Sequence, residues 1–194
     1  MLLREKEILV EEEFFSDKLN FNGISVVYKE YLASKIIFCD GPMGFGNELL
    51  KEIRFHPLKG EVLHLNINYS SNFILNRNAF VLPREGSFIA GSNYDLKGID
   101  WQPTERAKEE ITGKIDKILN IDYEITGQKA GLRPTTHDRR PVIGVLPHHP
   151  QVGVFNGLGT KGVSLAPYFA QQFSNSLING TEIDGEVHIG RFFK

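Results

Sequence analysis

The chain has 194 residues, 41% of them hydrophobic, and a formal charge of −2, so it can bury a proper core as one domain or as a large and a small lobe. With no basic surplus, nucleic acid and anionic membrane are poor partners. The single Cys39 cannot form an internal disulfide, no apolar run approaches the ~18 residues of a membrane span, and the opening MLLREKEILVEEEFF mixes acids and bases too early for a signal peptide; a cytoplasmic protein is expected.

β-signals dominate the front. EILVEEEFF, GISVVYKEY and SKIIFCDG read as strands joined by NFNG and a short YLAS connection, which suggests an antiparallel meander, and GNELLKEI reads as a short helix. GEVLHLNI reads as a strand, and NAFVLPREGSFIAGS as two strands around a Pro83-Arg84-Glu85-Gly86 turn. In PTERAKEEITGKIDKILN, Pro103 fits the first helical position, acids lie early, and Ala107, Ile111, Ile115, Ile118 and Leu119 form one apolar stripe. Then come DYEITGQKAGLRP, PVIGVLP, VGVFNG and a terminal helix in which Leu165, Phe169, Phe173 and Leu177 recur at helical spacing. The pattern is α+β, with more strand than helix and no internal repeat.

Two stretches carry chemistry. GLGTKGVSLAP, from Gly157 to Pro167, has the G-x-G-x-x-G spacing that cradles a dinucleotide pyrophosphate. A strand precedes it and a helix follows, but TEIDGEVHIGRFFK holds a turn at Asp184-Gly185 and too little chain for a complete βαβ unit. What remains is either a site for an electron-rich group at a helix N-terminus or simply a left-handed turn joining strand to helix. In AGLRPTTHDRRPVIG, glycines and prolines fix the backbone around Arg133. An arginine held that way suits bidentate carboxylate binding, and it equally suits bridging loop carbonyls.

Together, KAGLRPTTHDRRPVIGVLP and VFNGLGTKGVSLAP resemble the C-terminal third of the FAD-dependent glycine oxidase and D-amino-acid oxidase superfamily, including the oxidoreductase half of bifunctional tRNA-modifying enzymes. ASKIIFCDG looks like the strand returning to the FAD-domain sheet, HPLKGEVLHL like the entry to the substrate domain, and AFVLPREGSFIAGS like its hairpin. The family's own G-x-G-x-x-G stands near its N-terminus, after the first strand, and the N-terminal stretch of this sequence holds nothing similar. The resemblance implies a large, mainly antiparallel sheet with flanking helices. It divides the chain into a remnant of the FAD-binding domain (1–41), a substrate lobe (42–130) and a flavin-facing segment returning to the FAD domain (131–194).

It also implies the chemistry. Arg133 would hold the carboxylate of a small amine or amino acid, Phe80 would line the substrate pocket, and Leu158, Gly159, Thr160, Lys161, Gly162, Val163 and Ser164 would pass the flavin, with hydride moving from substrate to FAD. Two departures bear on the substrate. Phe80 stands where the family has a tyrosine, and Thr160 where glycine oxidase has a second arginine. FAD is expected in the intact protein and not on this chain alone, which should be folded, colourless and inactive, with self-association through surface the missing unit would cover. A non-catalytic binding or assembly module, or a subunit completing a flavin site with a partner, is the other reading.

The remaining candidates read as structure. His148 and His149 should point apart in a loop without a third ligand at zinc-like spacing, so no metal is expected. Asp138, beside His137, should accept backbone N–H bonds in its turn, Trp101 should pack the helix start, and Cys39 should be a small core residue.

Overall fold

A computed structural model describes residues 2–193. EILVEEEFF forms no strand: after one helical turn, α1 (Leu2–Glu5), the chain is irregular up to Phe15. Ile8, Leu9 and Val10 stay exposed, for no neighbouring strand covers an apolar face there. The antiparallel meander exists, one strand later, as β1 (Leu19–Asn22), β2 (Ser25–Tyr28) and β3 (Tyr31–Ala33). NFNG is therefore strand plus hairpin turn, and YLA is itself a strand. β4 (Ile36–Phe38) leaves for a different sheet. GNELLKEI shrinks to a 3-10 turn over Glu48–Leu50, where the Asn47 side chain accepts the Leu49 N–H.

The large sheet comes next, from β5 (Leu58–Ile67), β6 (Leu75–Asn76), β7 (Phe80–Arg84) and β8 (Ser87–Gly91), the helix α2 (Glu105–Ile115), and β9 (Tyr123–Arg133). Its strand order is β6-β7-β8-β5-β9, antiparallel throughout. Glu85 and Gly86 both take positive φ, 40° and 80°, in the β7–β8 turn, whose twist then matches the strands. α2 lies on one face, burying Ile111 and Ile115 completely against Leu63, Leu65, Val81 and Ala90, with Ile118 packed alongside. Each buried isoleucine contributes about 1.5–3 kcal/mol relative to exposure. Thr104, not Pro103, starts the helix: its extended backbone and side-chain oxygen cap the Ala107 N–H. Trp101 does not pack that start and is 53% exposed.

The strand register fixes which side chains face away from α2. Leu63, Leu65 and Ile67 of β5 point toward the helix, so Leu58, Gly60 and Val62 point to the opposite face. Phe80 pairs with Gly91, which pairs with Val62, and Arg133 pairs with Leu58. Phe80 and Arg133 thus share the face opposite α2. β9 gets there through a bulge opposite His64 and Leu65 that shifts the alternation of its residues.

The smaller sheet joins β10 (Val142–Leu146) and β11 (His149–Asn156) antiparallel, with β11 parallel to β4, so the terminal strand does lie beside SKIIFCDG. α3 (Gly162–Asn179) follows and buries Phe169 and Phe173 against Ile143 and Val187. Gly153 permits the approach: a Cβ there would lie 2.4 Å from Ile37 Cδ1 and 3.2 Å from Phe173 Cζ. The helical stripe is buried only in its middle, since Leu177 is 37% exposed, and Gly180 closes the helix at φ 70°. Beyond α3 the described chain forms a turn at Asp184 and a 3-10 turn over Ile189–Phe192, with no further strand, so no βαβ nucleotide unit is built on Gly157. The molecule is α+β, a large antiparallel sheet with its helix and a small mixed sheet with another. Among the described residues, no helix is long and apolar enough to cross a membrane.

Candidate functional site

Arg133 ends β9 and is half-buried. Its Nη2 donates to Ser92 Oγ at 2.9 Å, and its Cζ lies 5.0 Å from the centre of the Tyr94 ring. Nη1 is buried and finds no acceptor. Among the described residues no carboxylate lies within 4.0 Å of this guanidinium. Burial pulls its pKa below the usual arginine value, and the neighbouring Tyr94 offsets part of that. A cation withdrawn from water with a free donor is a costly arrangement unless an anion completes it. Phe80 reaches the same place from β7: its ring approaches the bare Cα of Gly91, whose neighbour Ser92 holds Arg133.

The glycine turn is tied directly to the arginine's strand. Gly159 N–H donates to the Pro134 carbonyl at 2.8 Å, and Thr135 bridges Leu158. Gly157 and Gly159 both require positive φ, 74° and 56°, and a Cβ on Gly157 would meet the Arg140 carbonyl at 3.2 Å. Asn156 sets the turn from below: its side chain accepts the Gly157 N–H at 2.7 Å and donates to Asp40 Oδ1 and the Gly41 carbonyl. Burial pushes the Asp40 carboxyl up, partly offset by hydrogen bonds from its own backbone, Asn47 and Asn156. The turn therefore leaves the C-terminal ends of two parallel strands, β4 and β11, the edge at which open α/β sheets bind ligands.

α3 begins there without a side-chain cap. Thr160, Lys161 and Ser164 are exposed, Val163 is 98% exposed, and Leu158, Gly159 and Gly162 are partly covered. The first turn of α3 is thus largely exposed, and the positive end of a helix dipole left open in this way favours a negatively charged group.

The other candidates disperse. His148 packs edge-on to Phe193 and His149 against Phe21, so the two imidazoles do point apart. Asp138 accepts the Arg140 N–H and a hydrogen bond from Thr136, and pairs with Arg191 at 2.8 Å. Burial pushes its carboxyl up, but the hydrogen bonds from Arg191, Thr136 and Arg140 outweigh that and hold it at about 2. Cys39 is exposed and belongs to no core, because its neighbour Phe38 takes the inward position at the end of β4. Sequence reasoning passed over Ser92, Tyr94 and Gly60, all beside Arg133. An isolated glycine inside the β5 pattern was the available signal for a close approach.

Fold and site together define a lobe built around a fixed, anion-seeking arginine and a glycine turn at a helix N-terminus. The FAD dependent oxidoreductase family, DAO, matches residues 17–175, and the chain belongs to that family. It is 25% identical over 169 residues to the glycine oxidase of Pseudomonas aeruginosa, an overlap of 82% of this chain and 46% of that protein. It is also 25% identical over 164 residues to the tRNA 5-methylaminomethyl-2-thiouridine biosynthesis bifunctional protein MnmC of Marinobacter nauticus, covering 74% of this chain and 26% of that one. The solved glycine oxidase of Bacillus cereus superposes with a TM-score of 0.69 at 16% identity over 85% of this chain and 49% of its own, a likeness of fold. The chain spans about half the length of the curated glycine oxidases it matches.

Proposed function

We propose that, in the full-length protein, this chain forms the substrate side and the flavin-facing turn of an FAD-dependent oxidoreductase acting on a small amine or amino acid that carries a carboxylate. One observation carries the reading: the half-buried Arg133 cation with a buried Nη1 and no acceptor for it. Residues 42–130 make up the substrate lobe, with β9 continuing in it as far as Arg133, and 1–41 with the rest of 131–194 belong to the flavin side.

The residues present fit the flavin ring. Leu158 to Ser164 would hold it, with uncapped N–H groups at the start of α3 meeting the negative charge of its reduced form. Bound FAD supplies the hydride acceptor for the carbon next to the substrate nitrogen. The chain's own residues bind and orient. Arg133 takes the carboxylate through Nη1 while Ser92 fixes Nη2, and Phe80 lines the same face. If the amine binds neutral, no side chain has to move a proton, and the protein acts by positioning. Arg133 is then the cation that meets the carboxylate, and Thr160 adds no second charge to it.

In the full-length enzyme, Arg133→Leu should lower kcat/KM for the carboxylate-bearing amine by about 2–5 kcal/mol of transition-state binding. Flavin content should persist, and so should turnover of the matching amine without a carboxylate. Equal loss for both amines would remove Arg133 from the clamp role. The chain alone should purify colourless, and a titration with FAD followed by flavin fluorescence should show no tight binding, because a few N–H contacts of ~0.5–1.5 kcal/mol each cannot retain the cofactor. Tight stoichiometric binding would contradict this.

A further inference from the structure

Arg133 owes its position to two residues that contribute no hydrogen bond to it. A Cβ built on Gly60 would lie 2.1 Å from Nη1, 2.2 Å from Nη2 and 2.3 Å from Cζ, so the guanidinium occupies the space a side chain at residue 60 would fill. Residue 60 pairs with Gly131, two residues before Arg133 on the neighbouring strand, and the arginine therefore reaches diagonally across the sheet into the gap. Tyr94 supplies the ring at 5.0 Å from Cζ and is itself 63% exposed.

The segment bearing Tyr94 is pinned to the same strand. Lys59 and Asp95 exchange both backbone hydrogen bonds, at 3.1 and 2.9 Å. The Lys59 side chain, 1% exposed, donates to Asp100 and to the Gln102 carbonyl, each at 2.6 Å. The buried Asn93 side chain accepts the Glu61 N–H at 2.8 Å. Anchors at residues 93, 95, 100 and 102 leave Tyr94 projecting over Arg133 from a fixed backbone.

We infer that Gly60 is a positioning residue whose missing side chain makes the berth of the Arg133 guanidinium, and that Tyr94 is a specificity-determining wall that retains the guanidinium and limits the size of the acid reaching Nη1. The inference rests on the reading of Arg133 as a carboxylate clamp. Gly60→Ala would expel the guanidinium and move Nη1 off its line. Tyr94→Ala would open the wall while leaving the exposed position tolerant of change. Tyr94→Phe keeps the ring and should restore the wild-type behaviour.

The test uses the full-length protein and two readouts. The first is the rate at which phenylglyoxal modifies Arg133, followed by mass spectrometry of the peptide that contains it. The rate should rise severalfold in Gly60→Ala and Tyr94→Ala and stay at the wild-type value in Tyr94→Phe. The second is KM for a small against a bulky carboxylate-bearing amine. Gly60→Ala should raise KM for both by about 10- to 100-fold, the usual consequence of a clamp displaced by an ångström. Tyr94→Ala should shift the ratio toward the bulky amine. Unchanged modification rates in Tyr94→Ala overturn the retaining wall, whether or not Gly60→Ala folds, and an unchanged rate in a folded Gly60→Ala overturns the berth. Altered rates with KM unchanged in both variants overturn the specificity role. If Arg133→Leu itself leaves the carboxylate preference intact while the modification rates respond as expected, the clamp reading fails and the berth stands.

Discussion

Two charged groups meet β5 at adjacent residues, Glu61 on one face and Arg133 of β9 against Gly60 on the other, and they are built on opposite principles. On the α2 side, Glu61 is fully buried and saturated: it accepts from the Thr104 N–H and hydroxyl and from Gln128, at 2.8 to 2.9 Å, with Lys59 at 4.0 Å. On the opposite side, Arg133 is only half-buried and lacks an acceptor for Nη1. A saturated buried charge serves the fold, because removing any partner strands the rest. An unsaturated one is held at the expense of the fold, which is what the proposed carboxylate site at Nη1 would offset.

The contrast breaks most visibly at Glu61. Glu61→Ala leaves the Lys59 ammonium short of one carboxylate and three part-buried donors without their acceptor, so unfolding in urea should show a loss of about 3–5 kcal/mol. A loss near that of a surface pair, about 1 kcal/mol or less, would mean that the cluster is not structural. Thr104→Ala is the next step down. It removes the α2 cap and one bond to Glu61, and should cost about 1–2 kcal/mol, with Thr104→Ser recovering most of it. If Ser recovers nothing, the methyl group and not the hydroxyl was the useful part.

Asp138 and Arg191 are an intermediate case, paired but partly solvated. The native carboxyl is held at about 2, below the ~3.9 of an unfolded aspartate, so its stabilisation is complete above about pH 4 and disappears as pH falls toward 2. Discounted for solvent screening, the effect is about 1 kcal/mol. The urea midpoint of Asp138→Asn should therefore lie below the wild type at neutral pH and converge with it on acidification. A gap that persists unchanged at pH 2 would assign the effect to shape and not to charge.

The sequence carried the parts governed by local pattern. The apolar stripe of α2, the β7–β8 turn and the return of β11 beside β4 follow from periodicity, turn chemistry and linked motifs, and the structure has all three. The acidic front misled because an alternating pattern forms a strand only when a neighbour buries one face, and none does at Ile8 to Val10. The arginine was legible through its flanking glycines and prolines. Its surroundings were not: Tyr94 meets Arg133 across thirty-nine residues of chain, and the bulge in β9 that puts Arg133 on its face has no marker beyond Gly127. The Lys59 and Glu61 network was equally hidden, since two charged residues in a strand pattern ordinarily signal a solvated side.

The smallest expected effect is the one that separates the clusters most sharply. Arg133→Leu removes one hydrogen bond to Ser92 and the contact with the Tyr94 ring, a loss of about 1–2 kcal/mol together. The same change relieves the burial of a cation and of an unpartnered donor, which costs the native state about 1–3 kcal/mol. Leucine still covers the apolar part of the site on the open face of β9. The two sides nearly cancel, so the urea midpoint should move by less than about 1 kcal/mol in either direction, while on the proposed function the same substitution should remove the full-length protein's preference for a carboxylate. Destabilisation comparable to that of Glu61→Ala would show that Arg133 belongs with the structural charges, and the case for a ligand at Nη1 would fall with it.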